Sequence, residues 1–158
     1  MSDPVICEVA IAAPADLVWR ALREPREIRR WFGWDYEGLD AEIDYIFRQH
    51  AMADDAARTL DMGEGGVIGL EDRGDATVVR VARAAADGYD DVNEGWISFV
   101  QQLRFYLERH RGQERITVHL PTRGEEWFSS EHQSGHVRED GSLVIRTRER
   151  VIVSSYGS

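Results

Sequence analysis

The chain has 158 residues, 29 of them acidic and 19 basic, for a net charge of −10. That length suits one domain with a core of its own, and 42% hydrophobic residues without an apolar run of about 18 excludes a membrane-spanning helix. The acidic balance disfavours nucleic acid and anionic membranes as partners. All 19 basic residues are arginine, which removes Schiff-base chemistry and the phosphate-loop lysine.

Cys7 is alone, so no internal disulfide is expected. The opening MSDPVICEVA has no basic segment followed by a long apolar run, so no signal peptide is expected and the cytoplasm is the expected location. Residues 33–75 carry twelve Asp or Glu against three Arg, so nearly all the excess charge sits in one segment. A solvated acidic face is the plain reading of that run, and a surface that repels anionic ligands is the functional one.

Val5, Cys7, Val9 and Ile11 alternate with Ile6, Glu8, Ala10 and Ala12, which predicts a strand with one strongly apolar face. Pro14 suits a helix start, where its missing N–H costs nothing. Leu17, Val18, Ala21 and Leu22 make the buried stripe, with Trp19 at its border. Pro25 ends this helix and opens a second, whose Ile28, Trp31 and Phe32 share a side. Gly33 can take the left-handed stop.

Residues 39–50 fit two patterns. Leu39, Ala41, Ile43, Tyr45 and Phe47 alternate like a strand, whereas Leu39, Ile43, Ile46 and Phe47 share a helical face. Asp40 and Glu42 suit a helix N-terminus and tilt the reading to helix. Ala51 to Ala57 reads as a linker. Three antiparallel strands joined by tight turns are then expected: Arg58 to Met62, Val67 to Leu70 and Thr77 to Ala82.

A long amphipathic helix is expected over 91–111. Asp91 and Glu94 have capping-box spacing and Gly112 marks the exit. Its stripe is Val92, Trp96, Phe99, Val100, Leu103, Tyr106, Leu107 and His110. Phe105 lies off that stripe, either as an exposed aromatic or as a contact for the C-terminal segment. Strand signals follow at Ile116 to Leu120, Glu126 to Ser130 and Leu143 to Ser154. The last run reads as a hairpin arm or long edge strand with Arg146, Arg148 and Arg150 towards solvent.

Strand, two helices, antiparallel strands and a long closing helix make an α+β helix-grip fold, a curved antiparallel sheet wrapped around helix 91–111. VAIAAPADLVWRALREPREIRRWFGW resembles the opening of bacterial proteins in the family named after the activator of Hsp90 ATPase, within the START-like (SRPBCC) superfamily. GGVIGLEDRGDATVVRVARA resembles that family's penultimate hairpin, and DDVNEGWISFVQQLRFYLERHRG its closing helix, down to Glu94-Gly95-Trp96. The likeness covers residues 5–111. Two departures stand out. Between Trp34 and Arg58 the chain is too short for the three full strands and turns usual there, and 112–158 is additional. The C-terminal strands are expected to pair with the shortened sheet, or else to mediate dimerisation.

The resemblance implies an apolar cavity between helix and sheet that binds a small lipophilic or aromatic molecule. Trp96, Phe99, Val100 and Leu103 on the long helix are the candidate lining, with Trp31 and Trp34 at the entrance and Phe47 and Met62 behind. Each can equally be ordinary core, since buried aromatics mostly fill space. Trp34, just past a helix stop, cannot serve the same stripe.

Enzyme signals are thin, and neither cofactor nor metal is expected. Glu42, Asp44 and His50 are candidates for acid and base chemistry. His132 and His136 with Glu131 have a metal-like spacing in a loop context, without further ligands. Cys7 reads as a buried inert thiol. Ser129 and Ser130 lack a nucleophile elbow, and Gly63, Gly65 and Gly66 form a turn with no helix behind it for a phosphate. A cyclase-type enzyme needs polar groups in the cavity, and the long helix offers Tyr106 and His110. Chaperone activation finds no support beyond the family name.

Overall fold

The computed structural model describes residues 4–34, 36–84, 91–121, 136–146 and 150–157. The architecture is α+β, with two antiparallel sheets on either side of one long helix. Strand β1 (Val5–Ile11) buries Cys7, Val9 and Ile11 and turns Glu8 and Ala10 outward, as its alternation requires. Helix α1 (Ala15–Arg23) starts directly after Pro14 and buries Val18, Ala21 and Leu22. Leu17, expected in the stripe, is only half-buried. Trp19 at the border donates its indole N–H to Asp55 at 3.0 Å. Helix α2 (Pro25–Ile28) follows after a single residue, because Pro25 cannot continue α1. The chain then reverses at Gly33, whose φ of 58° is the left-handed stop.

Residues 39–50 are helical. Helix α3 (Leu39–Ile43) runs on into a π-helical stretch, Asp44–His50. Leu39, Ile43 and Phe47 are buried at a spacing of four, while Tyr45 is 59% exposed. Tyr45 should have shared their burial had the alternation been a strand's. Residues 51–57, expected as a linker, contain the short strand β2 (Met52–Asp54), which pairs with β3 (Thr59–Asp61). All three β2 side chains are exposed. Backbone pairing alone makes the strand, so no apolar pattern announced it.

Strands β4 (Val67–Asp72) and β5 (Thr77–Ala82) complete a five-stranded sheet in the order β1-β5-β4-β3-β2. Thr59 pairs with Gly69, Leu70 with Val79, and Val9 with Val79 on its other side. On the outer face Arg80 pairs with Glu8 and Glu71, exposed ion pairs that add little stability.

Helix α4 (Asp91–Arg109) lies across the inner face of this sheet, closest to β1. Trp96, Val100, Leu103, Tyr106 and Leu107 enter one core with Ile11, Leu22, Trp31, Phe47, Leu60 and Ile68. Gly112 at φ 80° ends the excursion. Strands β6 (Arg115–Pro121), β7 (His136–Val137), β8 (Leu143–Arg146) and β9 (Arg150–Tyr156) then form a second sheet, ordered β6-β9-β8-β7.

This corrects the expectation that the C-terminal strands pair with the shortened sheet. Among the described residues they pair only with one another, with β8 and β9 as hairpin arms. The reason is geometric. Phe105 points away from the first core and packs against Leu143, Ile145 and Tyr156. A helix with apolar groups on two sides needs a cover on each, and the second sheet supplies it. Tyr156 fastens the layer: its ring stacks on His110 at 4.7 Å and its hydroxyl donates to the Arg30 carbonyl. The strand expected at Glu126 to Ser130, the Glu131, His132 and His136 side chains, Ser129, Ser130 and Arg148 lie outside the described residues, as do the side chains of Asp91, Arg146 and Arg150.

Candidate functional site

The described side chains between α4 and the first sheet form one buried core. Trp31 is fully buried and donates its indole N–H to the Ala21 carbonyl at 2.8 Å. It meets Phe32 and Phe47 edge to face, at centroid distances of 5.8 and 6.1 Å. Met62, Val100 and Leu103 are buried in the same core. These residues pack against one another in that cluster.

The opening lies at one end of that core, where Gly33, Trp34, Tyr36 and α3 face the first turns of α4. A cleft of about 280 Å³ is walled there by Phe32, Trp34 and Tyr36 on one side and by Val92, Trp96 and Phe99 on the other. Glu42 and Ile46 from α3 and its π-helical continuation close the third side. That volume is at the small end for ligand sites, suited to about one ring and a short substituent.

Of the eight residues expected to meet a ligand, Trp34, Trp96 and Phe99 line this cleft. Trp31, Phe47, Met62, Val100 and Leu103 stand behind it in the core, and Phe47 touches two of its lining rings, Phe32 at 5.0 Å and Trp96 at 6.4 Å. Phe32, Tyr36, Ile46, Val92 and Gly95 line it as well, none of which was named as a ligand contact. Phe32 looked like a stripe residue of the short helical turn, but the reversal at Gly33 leaves it between core and cleft, with Phe99 at 4.9 Å and Trp96 at 5.8 Å.

The walls have distinct supports. Trp34 and Tyr36 lean on each other at 6.2 Å. The Trp31–Gly33 turn is held from behind by two buried polar side chains. Gln102 on α4 donates its amide to the carbonyls of Trp31 and Gly33 at 2.7 and 2.8 Å. Arg115, the first residue of β6, donates to Phe32 and Gly33 at 2.7 and 3.1 Å. The additional C-terminal sheet therefore reaches the back of the cleft wall. Sequence reading missed both groups, although a polar Gln102 one place from the apolar Leu103 and a charged Arg115 at a strand start were the available signals. The carbonyls of a tight turn need donors when buried.

Electrostatically the cleft is acidic and otherwise apolar. Glu42 is the charged group among its described lining residues, and it accepts a hydrogen bond from the Tyr36 hydroxyl. That bond, with some burial, pushes Tyr36 up to about 12, so its proton stays on at physiological pH. Asp44 and His50, the other acid and base candidates, do not join Glu42. Asp44 engages Gln49 at 2.5 Å and Arg48 at 3.9 Å, and the His50 ring stacks on Tyr45 at 5.8 Å.

Tyr106 and His110 lie near the opposite end of α4. The Tyr106 hydroxyl donates to Glu27 and accepts from Arg30 and the Gly112 N–H, while His110 contacts Gln113. Burial pushes the Cys7 thiol up to about 11, which leaves it a poor nucleophile. Gly63, Gly65 and Gly66 form a short 3-10 turn between β3 and β4. Among the described residues no group of three or more His, Cys, Asp or Glu is placed to hold a metal, and no helix is long and apolar enough to cross a membrane.

No family model and no curated protein matches the chain. Among solved structures, the crystal structure of DynU16, a protein of the dynemicin biosynthetic locus, is similar to it over 96% of this chain and 85% of that one, at 15% identity and a TM-score of 0.40.

Proposed function

We propose that this chain is a START-like, single-domain binding protein that takes a small apolar or aromatic molecule into the cleft beside Trp34. One observation carries the reading: at the end of the buried core under α4, five aromatic side chains surround about 280 Å³ of open space. Exposed aromatic surface is costly to leave in water, at about 25 cal/mol per Å², and a concave aromatic site recovers that energy when a ligand covers it.

The helix-grip arrangement of β1, α1, α2 and α4 supports a relation to the activator-of-Hsp90-ATPase family at the level of fold. Binding is favoured over catalysis because Glu42 is the only one of the three acid–base candidates at the cleft. A thermal-shift panel of single-ring compounds tests the reading. A bound compound at a hundred times its Kd adds about 2.7 kcal/mol, and G95L, which fills the cleft, should abolish its shift. The reading fails if no compound raises the midpoint, or if the shift survives in G95L.

A further inference from the structure

The cleft has two properties that together select a ligand class. Its walls are π faces and edges: Phe32, Trp34 and Tyr36 from one chain segment and Trp96 and Phe99 from α4 meet at one opening. Its charged group among the described lining residues is a carboxylate, Glu42, held in place by the Tyr36 hydroxyl. Aromatic faces attract cations through their quadrupoles, most strongly where water is excluded. An apolar cleft with one carboxylate disfavours an anion and leaves a neutral ligand no charge to pair with Glu42.

The wider field has the same sign, since residues 33–75 carry twelve acidic groups against three arginines. One opposing contribution is local. The amino-terminal end of α4 borders the cleft and bears about half a positive charge. Glu94, in that same first turn and 4% exposed, offsets it.

We infer that the cleft is a site for a small organic cation, an alkylated ammonium group carried on an apolar or aromatic body, seated between Trp34 and Trp96 with Glu42 as its counter-charge. This deepens the binding reading above and rests on it. The ammonium head meets the Trp34 and Tyr36 rings and Glu42, and the apolar body lies along Phe32, Trp96 and Phe99. Nothing covalent is required. A methylated nitrogen fits better than a primary amine, because it carries its charge without N–H groups that this apolar wall would leave unpaired.

The test uses three probes of one shape on the full chain, read by calorimetry and by quenching of tryptophan fluorescence. Benzyltrimethylammonium is the cation, neopentylbenzene its neutral carbon isostere, and 2,2-dimethyl-3-phenylpropanoate the anion. The cation should bind about tenfold or more tightly than the neutral isostere, and the anion more weakly than either. E42Q should shrink the gap between cation and isostere, and W34A should shrink it further. Equal binding of cation and isostere, a gap unchanged in E42Q, or tighter binding of the anion overturns the cation assignment while the binding reading stands. Absence of binding by all three overturns both.

Discussion

Gly95 offers the sharpest check on the cleft. It sits in the second turn of α4, where glycine costs a helix about 1 kcal/mol relative to alanine. The structure gives a reason for tolerating that loss. A Cβ built on Gly95 lies 3.5 Å from Phe99 Cε2 and 3.8 Å from Cζ, ordinary van der Waals contacts, and Gly95 lines the cleft. G95A should therefore add no clash and recover most of the propensity term, about 0.5–1 kcal/mol, or roughly 1–4 °C in Tm for a chain of this size. Its methyl group also narrows the cleft beside Phe99. A bound single-ring ligand should weaken severalfold even as the protein stabilises. Thermal melts and titrations on the same preparation measure both. A fall in stability would mean the wall is packed more tightly than the described geometry, and unchanged affinity would remove Gly95 from the site.

W96A should cost about 3–5 kcal/mol in denaturant unfolding, because this ring joins the core cluster to the cleft, and should also weaken any cleft ligand. If affinity stays intact in the folded fraction, Trp96 belongs to the core alone. I145A, at a fully buried position of the second sheet, should cost about 2–5 kcal/mol, and a near-neutral result would show that this sheet does not share the main unfolding transition. Cys7 should resist alkylation near pH 8 in the native protein and react once unfolded in urea. Its folded pKa, about 11, lies above the ordinary 9.0, so the unfolded chain gives up this proton first. The Cys7 contribution to stability is thus intact below about pH 9 and lost as pH rises towards 11. Comparison with C7A across that window isolates it, and an identical pH profile for the two proteins would refute the buried-thiol account.

Much of the fold was legible because the signals were local. Pro14 and Pro25 with the stripe Val18, Ala21 and Leu22 place α1 and α2, and Gly33 and Gly112 mark reversals that their positive φ values require. The alternation in Val5–Ile11 and the three- and four-residue spacing of Trp96, Val100, Leu103 and Leu107 name the faces that meet in the core. What escaped depended on partners far along the chain. Strand β2 has no buried side chain and exists through pairing with β3. Phe105 gains its role only when Leu143 and Ile145 arrive from β8.

The cleft divides in the same way. Composition made the segment around Trp34 acidic and free of lysine, and periodicity put Trp96 and Phe99 on one helix face. Which aromatics fill the core and which border open space was decided by tertiary packing. Trp31 turns inward because its indole finds the Ala21 carbonyl, while Trp34, one residue beyond the left-handed turn at Gly33, is carried to the rim. Burial periodicity reports only that a side chain faces the interior. Whether that interior is closed depends on how Gln102 and Arg115 draw the Trp31–Gly33 turn against α4, a contact between residues some 70–80 positions apart that no local pattern encodes.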